Sequence, residues 1–597
     1  MGSVRSAATM GGVGLVVACA VAAPALAATS RVEVRGVDDR ALRAEIQAVI
    51  TQSNTAPASR LEARRRATDA GERAIALLRS EGYYDYDVEA DIGDGDTPVA
   101  FITVTPGPRS KIVDPKIEWV GAVPAAADAQ AAIEAMALKL GEPGRAETVI
   151  AAEGRIVAVM ERQGYADAEA KPRTVIVDHA DKTVQPIFKI AAGAPVLMDG
   201  IEVSGGSRTR LAWLRKLVPW KSGQRYQPKA VAELERRLVE TGAYDTVSVT
   251  LAPAARTKDG QRPVIVSLVD RPKGTLELGA SYSTTEGAGV DSRWIVYNRL
   301  KRADTLTTSL QIAQLDSRLQ TELAIPHFGK AAQTLKLTAA LYRDDTTAYT
   351  SSGGVLSADL THKFSKISYL TYGVSLDDSI TDEKEAANFV ASGRRRNLLT
   401  FSVLGAFNLD KSNDPLDPTS GWRLGARAEP TYAMGDGSIA YLKTSAQLSA
   451  YLPLDGALGT VLAGRAKLGA IVGGDIPRVP APARFYAGGG GSVRGYAYQA
   501  VGPRYPDNTP EGGLSLVEAS LEVRQPITKK WSAVAFIDAG AAGKQVTPDF
   551  SHPDIGIGVG VRYNLGFGPI RVDIGTPLHQ RHGDAPIQLY FSIGQSF

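Results

Sequence analysis

The sequence predicts two kinds of structure in one chain: α+β repeats, then an all-β transmembrane barrel of about 16 antiparallel strands. Three observations carry that expectation. Short strand-and-glycine echoes recur in the first half, with glycines at 36, 121 and 205. From Thr275 onward, polar and apolar residues alternate in segment after segment. The chain closes on one more such segment, Leu589-Tyr590-Phe591-Ser592-Ile593-Gly594-Gln595-Ser596-Phe597.

The 597 residues leave room for several domains. Basic and acidic side chains nearly balance, and the formal net charge of +3 excludes nucleic-acid binding driven by bulk charge. Residues 1–27 read as a signal peptide. Arg5 supplies the positive end, Met10 to Ala23 the apolar core, and Ala25-Leu26-Ala27 the cleavage site. Val16-Val17-Ala18-Cys19 loosely matches a lipoprotein box, but the apolar run continues past it to the conventional site. Cys19 is the only cysteine, so the exported chain is expected to have neither disulfides nor a cysteine nucleophile. No later segment approaches the apolar length of a membrane-spanning helix. The strand pattern therefore decides between a periplasmic, a secreted and a barrel form.

The first echo is Val32-Glu33-Val34-Arg35-Gly36, the second Ile117-Glu118-Trp119-Val120-Gly121, the third Ile201-Glu202-Val203-Ser204-Gly205. A near-constant period of this size fits tandem domains rather than a solenoid. Each echo is followed by helical sequence, including Leu61 to Ser80, Ala146 to Gln163 and Pro228 to Thr241. Each of these helices stops at a glycine with an aromatic close behind: Gly82-Tyr83, Gly164-Tyr165, Gly242-Ala243-Tyr244. That is the pattern of a left-handed helix cap. Two strands close each unit; in the first they are Asp85 to Asp91 and Val99 to Thr105, joined across Asp94-Gly95. The expected units are 28–113, 114–198 and 199–272. Such units can be spacers, or they can accept extended peptide along an open sheet edge.

The barrel is expected over 273–597. Thr275 to Tyr282, Leu442 to Leu448 and Ile570 to Ile574 alternate cleanly, which gives each strand one apolar and one wet face. In the last of these, Ile570, Val572 and Ile574 share one face and Arg571 and Asp573 the other. Full charges on the wet faces and turns recurring over the whole second half favour a membrane barrel over a soluble sandwich. In lipid every backbone amide needs a partner, so such a sheet must close on itself.

The longest connection, about Asp475 to Gly512, holds Gly488-Gly489-Gly490-Gly491-Ser492-Val493-Arg494-Gly495-Tyr496. The Gly-Lys-Ser/Thr ending of a phosphate loop is missing, and the aromatics do not suit a linker. A glycine-rich loop can fold into the lumen, where Arg494 would need an acid to meet it. Two strands that follow offer acids. Glu518, Ser520, Glu522 and Arg524 share a face that must be lumenal. Phe536 and Asp538 share another, and a carboxylate is not expected to face lipid.

The repeats, with the turn Pro106-Gly107-Pro108-Arg109, resemble POTRA domains, the periplasmic modules of outer-membrane assembly proteins. The closing segment, apolar at Leu589, Phe591, Ile593 and Phe597, resembles the sorting signal of bacterial outer-membrane barrels. Val493-Arg494-Gly495-Tyr496 together with Phe536-x-Asp538-x-Gly540 resembles the loop-six and strand-thirteen motifs of the BamA/TamA superfamily, and Gly566-Phe567-Gly568-Pro569-Ile570-Arg571 extends the match. Three repeats point to the TamA branch, since BamA-like members usually carry five and two-partner secretion transporters two. The resemblance implies that Arg494 is clamped to Asp538 inside the barrel, with Glu522 or Glu518 sharing it and Tyr496 packed nearby.

It further implies a non-enzymatic assembly factor in the outer membrane, with its N-terminal units in the periplasm. Its clients are outer-membrane proteins such as autotransporters, inserted through a seam between the first strand (about Thr275 to Thr284) and the last (about Pro586 to Phe597). Gly594 removes packing in that last strand and can kink it. The implied surroundings are outer-membrane lipid and an inner-membrane-anchored partner of the TamB type. The alternatives are a two-partner-secretion pore for one exported protein and a structural barrel linked to inter-membrane lipid transport. No catalytic set, cofactor site or metal site is read: His579 and His582 stand near Asp584, but in a loop.

Overall fold

The computed structural model describes residues 32–50, 57–94, 99–283, 287–365, 367–384, 395–454, 459–548, 550–565, 569–593, 595 and 597. The signal peptide, Gly95 of the first hairpin, Thr284 of the first barrel strand, Gly566-Phe567-Gly568, Gly594 and Ser596 lie outside the described residues.

The first unit runs β1 (Glu33–Arg35), α1 (Arg40–Ile50), α2 (Arg60–Ser80), β2 (Asp87–Ile92) and β3 (Ala100–Thr105). Ser59 starts α2 by accepting the Glu62 amide at 3.2 Å, and the Glu62 carboxylate accepts the Ala58 amide at 2.7 Å, a reciprocal cap. Ala63, Ala67, Ala70, Ala74 and Leu78 recur at three- and four-residue spacing and form the buried stripe of α2. With Ile102 and Val104 of β3 they make the core of the unit. The sheet order is β1-β3-β2, which leaves β2 as an edge.

The second unit repeats the plan with β4 (Lys111–Ile112), β5 (Lys116–Trp119), α3 (Ala126–Met136), α4 (Ala146–Arg162), β6 (Glu169–Asp178) and β7 (Thr183–Ala191). Here β6 is the edge strand, antiparallel to β7. The third has β8 (Leu197–Ser204), α5 (Leu211–Leu217), β9 (Gln224–Arg225), α6 (Pro228–Val239), β10 (Tyr244–Leu251) and β11 (Gln261–Asp270), with β10 on the edge of a β10-β11-β8-β9 sheet. In all three units the glycine after the second helix (Gly82, Gly164, Gly242) has positive φ, as a left-handed cap requires.

By contacts the chain forms two compact units. One holds the described residues of Met1–Met198 with Ser222–Pro228 and Pro253–Arg262; the other holds Asp199–Lys221, Lys229–Ala252 and Pro263–Phe597. Ion pairs brace the first unit internally. Glu81 meets Arg109 at 2.9 Å and Arg145 at 3.2 Å, and Asp167 meets Arg262 at 2.6 Å. In the second unit, Thr209 bonds Tyr244 at 2.7 Å and accepts from Asn298 at 2.8 Å.

Sixteen strands make the C-terminal sheet. The first eight are β12 (Gly274–Ser283), β13 (Gly287–Tyr297), β14 (Thr305–Ala313), β15 (Asp316–Pro326), β16 (Gln333–Asp345), β17 (Tyr349–Lys363), β18 (Tyr369–Glu383) and β19 (Arg395–Asp410). The rest are β20 (Gly421–Gly435), β21 (Ile439–Pro453), β22 (Val461–Val472), β23 (Ser515–Pro526), β24 (Trp531–Gly543), β25 (Asp554–Asn564), β26 (Pro569–Pro577) and β27 (Gln588–Ile593). They follow sequence order, each antiparallel to the next. Leu276, Leu278, Leu341 and Val559 are exposed on the outer face, while alternate residues point inward. Among the described residues, no helix is long and apolar enough to cross a membrane, and no hydrogen-bonded ladder joins β12 to β27.

One expectation needs correction. The closing segment is not a strand up to Phe597: β27 ends at Ile593. Beyond it the chain enters the lumen. Gln595 donates to Asp417 at 2.9 Å and accepts from Arg562 at 3.2 Å. The Phe597 ring packs against Tyr451, Val461 and Ala463, with the Arg524 guanidinium 5.4 Å from its centre. Cationic and aromatic partners from distant strands outweigh continuation of a short edge strand.

Candidate functional site

The connection between β22 and β23 folds inside the barrel, and Arg494 lies near its deepest point, 1% exposed. Burying a guanidinium is tolerable only when its donors are met. Asp538 of β24 takes the Arg494 Nε–H at 2.7 Å, Nη2–H at 2.9 Å and backbone N–H at 3.0 Å. Nη1 reaches Glu522 of β23 at 2.5 Å and Asp573 of β26 at 3.1 Å. The guanidinium carbon also sits 3.5 Å above the Phe536 ring, a cation–π contact in a dry setting.

Further arginines surround this pair. Arg562 of β25 bonds Asp573, and Arg524 bonds Glu522 at 2.9 Å. Arg465 of β22 holds the carbonyls of Gly491 and Ser492 at 2.7 and 2.8 Å, and Arg571 reaches the Gly490 carbonyl at 3.3 Å. The glycine run thus presents bare backbone acceptors to arginines on the barrel wall. Closeness is enforced from both sides. Gly495 has φ +99°, and a Cβ on it would lie 2.7 Å from the Thr576 carbonyl oxygen, so no other residue fits without strain. A Cβ on Gly556 of β25 would collide with the Arg494 carbonyl.

Two more charge clusters fix the loop higher up. Buried Arg484 meets Glu383 of β18 at 2.9 Å, and Arg396 approaches the same carboxylate at 3.3 Å. Arg504 meets Asp584 at 2.6 Å, and Arg581 meets Asp554 at 3.0 Å. Asp584 therefore serves arginines, and among the described residues no His/Cys/Asp/Glu group is arranged to hold a metal ion.

A lumenal loop is thus pinned by one arginine to the fifth-to-last and fourth-to-last strands of a sixteen-strand sheet, and comparison with known proteins supplies the family. Residues 298–597, half of the chain, match the Omp85 superfamily domain. The chain belongs to the Omp85 superfamily. Residues 31–106 match the first POTRA domain of the TamA type. The outer membrane protein assembly factor BamA of Neorickettsia risticii (strain Illinois) is 24% identical over 413 residues, 66% of this chain and 54% of the relative. BamA of Neisseria meningitidis serogroup B is 24% identical over 591 residues, 88% of this chain and 72% of the relative. The crystal structure of BamA from Haemophilus ducreyi lacking POTRA domains 1–3 shares the fold, with TM-score 0.69 at 21% identity, over 81% of this chain and 99% of that one. This Omp85 protein is an outer-membrane barrel with its POTRA domains in the periplasm.

Within the Omp85 barrel, Val493, Arg494, Tyr496, Glu522, Phe536, Asp538 and Gly540 come together; Val493 and Tyr496 are both fully buried, and Val493 packs against Gly540. Glu518 is a correction. It does not reach Arg494; it lies four residues from Glu522, nearer the outer end of β23, where Ser492 donates to it at 2.5 Å and Arg465 approaches at 3.4 Å. Three residues of the clamp were not assigned from sequence. Asp573 had the signal, since alternation already put it on the wet face. So did Tyr590: with Leu589 and Phe591 outward, it must point in. Its hydroxyl accepts the Gly495 amide at 2.9 Å and donates to the Tyr496 carbonyl at 2.7 Å. Arg562 sits among glycines in Gly556-Ile557-Gly558-Val559-Gly560-Val561-Arg562, where half the alternation carries no side chain to read.

Proposed function

We propose that the chain is a TamA-like outer-membrane protein assembly factor that works without covalent chemistry. It captures extended client chains on its POTRA sheet edges and inserts them through the seam between β12 and β27. The observation that carries this reading is the seam. β12 pairs along ten residues with β13, yet among the described residues its other edge has no ladder to β27. Among the described residues β27 itself pairs with β26 through six. Unpaired strand edges template incoming strands, and the edge strands β2, β6 and β10 offer the same chemistry in the periplasm. Autotransporters are the clients the TamA resemblance suggests. A TamB-like partner anchored in the inner membrane would engage the first POTRA domain.

The test uses the absence of other cysteines in the exported chain. One cysteine is placed in Thr275 to Tyr282 and one in Gln588 to Phe591. The disulfide-locked protein should fail to insert clients and recover on reduction. Full activity while locked rejects the seam. A secretion pore would instead show steady conductance in planar bilayers, enlarged by deleting Asp475 to Gly512. The loop anchors described above argue against an open lumen at rest.

A further inference from the structure

A cavity of about 360 Å³ opens where α5 meets the turns β13–β14 and β15–β16, all within the barrel-containing unit. Its walls carry Arg210, Lys216, Arg302 and Lys330, with Trp213 and Phe328 between them. No carboxylate is among its lining residues. None of the four cations has an ion pair among the described residues, and all four are exposed. Arg299 and Lys301 add charge in the same β13–β14 turn. The acid of that turn, Asp304, is buried and accepts the Leu300 and Arg302 amides, so the exposed like charges repel one another at a cost that an anionic ligand would relieve.

The depth of the cavity is marked by aromatics. Trp294, Phe328, Phe364, Trp422 and Trp531 are exposed, and all stand at or beside the short turns on the periplasmic end of the strands. Aromatic girdles of this kind mark the level of lipid headgroups. Phe328 belongs both to this girdle and to the cavity wall, so the cavity opens at headgroup depth in the periplasmic leaflet. The charge is not spread evenly around that rim. The turn between β19 and β20 carries Asp414 and Asp417 instead, with Asp414 accepting the amides of Leu416 and Asp417. The cavity with its four cations lies beside α5 of the third POTRA domain.

We propose that this cavity binds the phosphate headgroup of an anionic phospholipid of the periplasmic leaflet. Arg210 and Arg302 offer planar donor forks to phosphate oxygens, and Lys216 and Lys330 add point charges. Trp213, tilted 6.1 Å from the His327 ring, and Phe328 cover the glycerol and first methylenes. The bound lipid ties α5 to the membrane surface beside the seam.

The test is native mass spectrometry of the exported full-length chain in micelles doped with phosphatidylglycerol or phosphatidylcholine. The expected result is retention of phosphatidylglycerol in preference to phosphatidylcholine. Each interfacial cation contributes about fivefold, so the combined Arg210→Gln, Lys216→Gln, Arg302→Gln, Lys330→Gln variant should lose about 600-fold in retention. Folding of that variant is checked by heat-dependent mobility of the barrel in gels. A control with Lys411→Gln, Lys529→Gln and Lys530→Gln, at other turns of the same rim, should keep the lipid. Equal retention by the fourfold variant, equal loss in the control, or complete competition by inorganic phosphate alone overturns the proposal. If the fourfold variant does not fold, single Lys216→Gln and Lys330→Gln variants decide it by the same readout.

Discussion

Strands β15 and β23 carry the same kind of inward face but live in different surroundings. On β15, Arg318, Gln320 and Glu322 point into the lumen and stay half-exposed. On β23, Glu518, Ser520, Glu522 and Arg524 point in and are buried. Strand chemistry is alike; what differs is the lumenal loop, whose stretch from Gly488 to Tyr496 lies against β22–β27, while its earlier part borders a cavity of about 380 Å³ beside Arg318, Tyr342 and Asp377. A water-filled wall solvates its charges cheaply, whereas a loop-covered wall must pair each one. The barrel is therefore a rigid clamp on one side and a wet, loosely filled space on the other.

The sharpest way to break this comparison is to remove one arginine from each wall. Arg494→Ala leaves Asp538, Glu522 and Asp573 short of a cation, and breaking one side of a buried pair costs about 3–5 kcal/mol. The barrel should stay folded by heat-dependent mobility, while the loop becomes protease-sensitive and client assembly is lost. Arg318→Ala removes a guanidinium stacked 5.2 Å from the Tyr342 ring in a wet setting, so it should change neither. Wild-type assembly by Arg494→Ala would end the clamp as a functional element.

Coupling energies sharpen the same contrast. A double-mutant cycle over Arg494 and Asp538 should give an interaction of about 2–3 kcal/mol. The pair Lys336–Glu322 on the open wall, at 3.1 Å with both side chains partly exposed, should give about 0.2–1 kcal/mol. Similar values for the two pairs, measured by denaturant titration in detergent, would mean that the loop does not dry the wall it covers.

Next in size is Tyr590→Phe. It removes the acceptor of the Gly495 amide and the donor to the Tyr496 carbonyl, and each buried group left unmet costs about 1–3 kcal/mol. Because Tyr590 lies on β27, the loop and one lip of the seam share this residue. Amide exchange should quicken at Gly495 and also along Gln588–Phe591. Faster exchange at the loop alone would show that the lip is held independently.

Much of this was legible in sequence because the barrel obeys a period of two. Alternation alone places Glu522, Asp538, Asp573 and Tyr590 inside, and the Arg494 motif names the residue they serve. What alternation cannot supply is height along the strand. Glu518 and Glu522 share a face of β23, but only the depth reached by the loop decides which of them meets Arg494 and which meets Ser492. Nor can it announce where a strand stops being a strand. Phe597 keeps the apolar register of Leu589, Phe591 and Ile593, yet Tyr451 and Arg524, far away in sequence, draw it into the lumen, as Asp417 does Gln595.

The smallest effect concerns the base of the open wall, which has its own anchor outside the lumen. His327, between β15 and β16, donates from Nε2 to the Arg237 carbonyl of α6 at 2.9 Å and accepts the Ala332 amide on Nδ1 at 3.2 Å. The second bond needs the neutral ring, because a protonated ring still donates from Nε2 but has no lone pair left on Nδ1. Burial, first of all, lowers its pKa below the ordinary histidine value; the charges of Arg237 and Arg236 act the same way, against the Arg237 carbonyl and Glu240. A histidine harder to protonate folded than unfolded stabilises the fold above its unfolded pKa of about 6.5, and that contribution is lost as pH falls below it. Acidification should therefore loosen this contact, because a protonated Nδ1 would face the Ala332 amide donor to donor. Exchange of the Ala332 amide, corrected for its intrinsic rate, should rise between about pH 7 and pH 5 and be flat in His327→Gln. The clamp around Arg494, which contains no histidine, should not follow. If both walls loosened together on acidification, they would form one cooperative structure, and the division between a rigid and a wet side would lose its mechanical meaning.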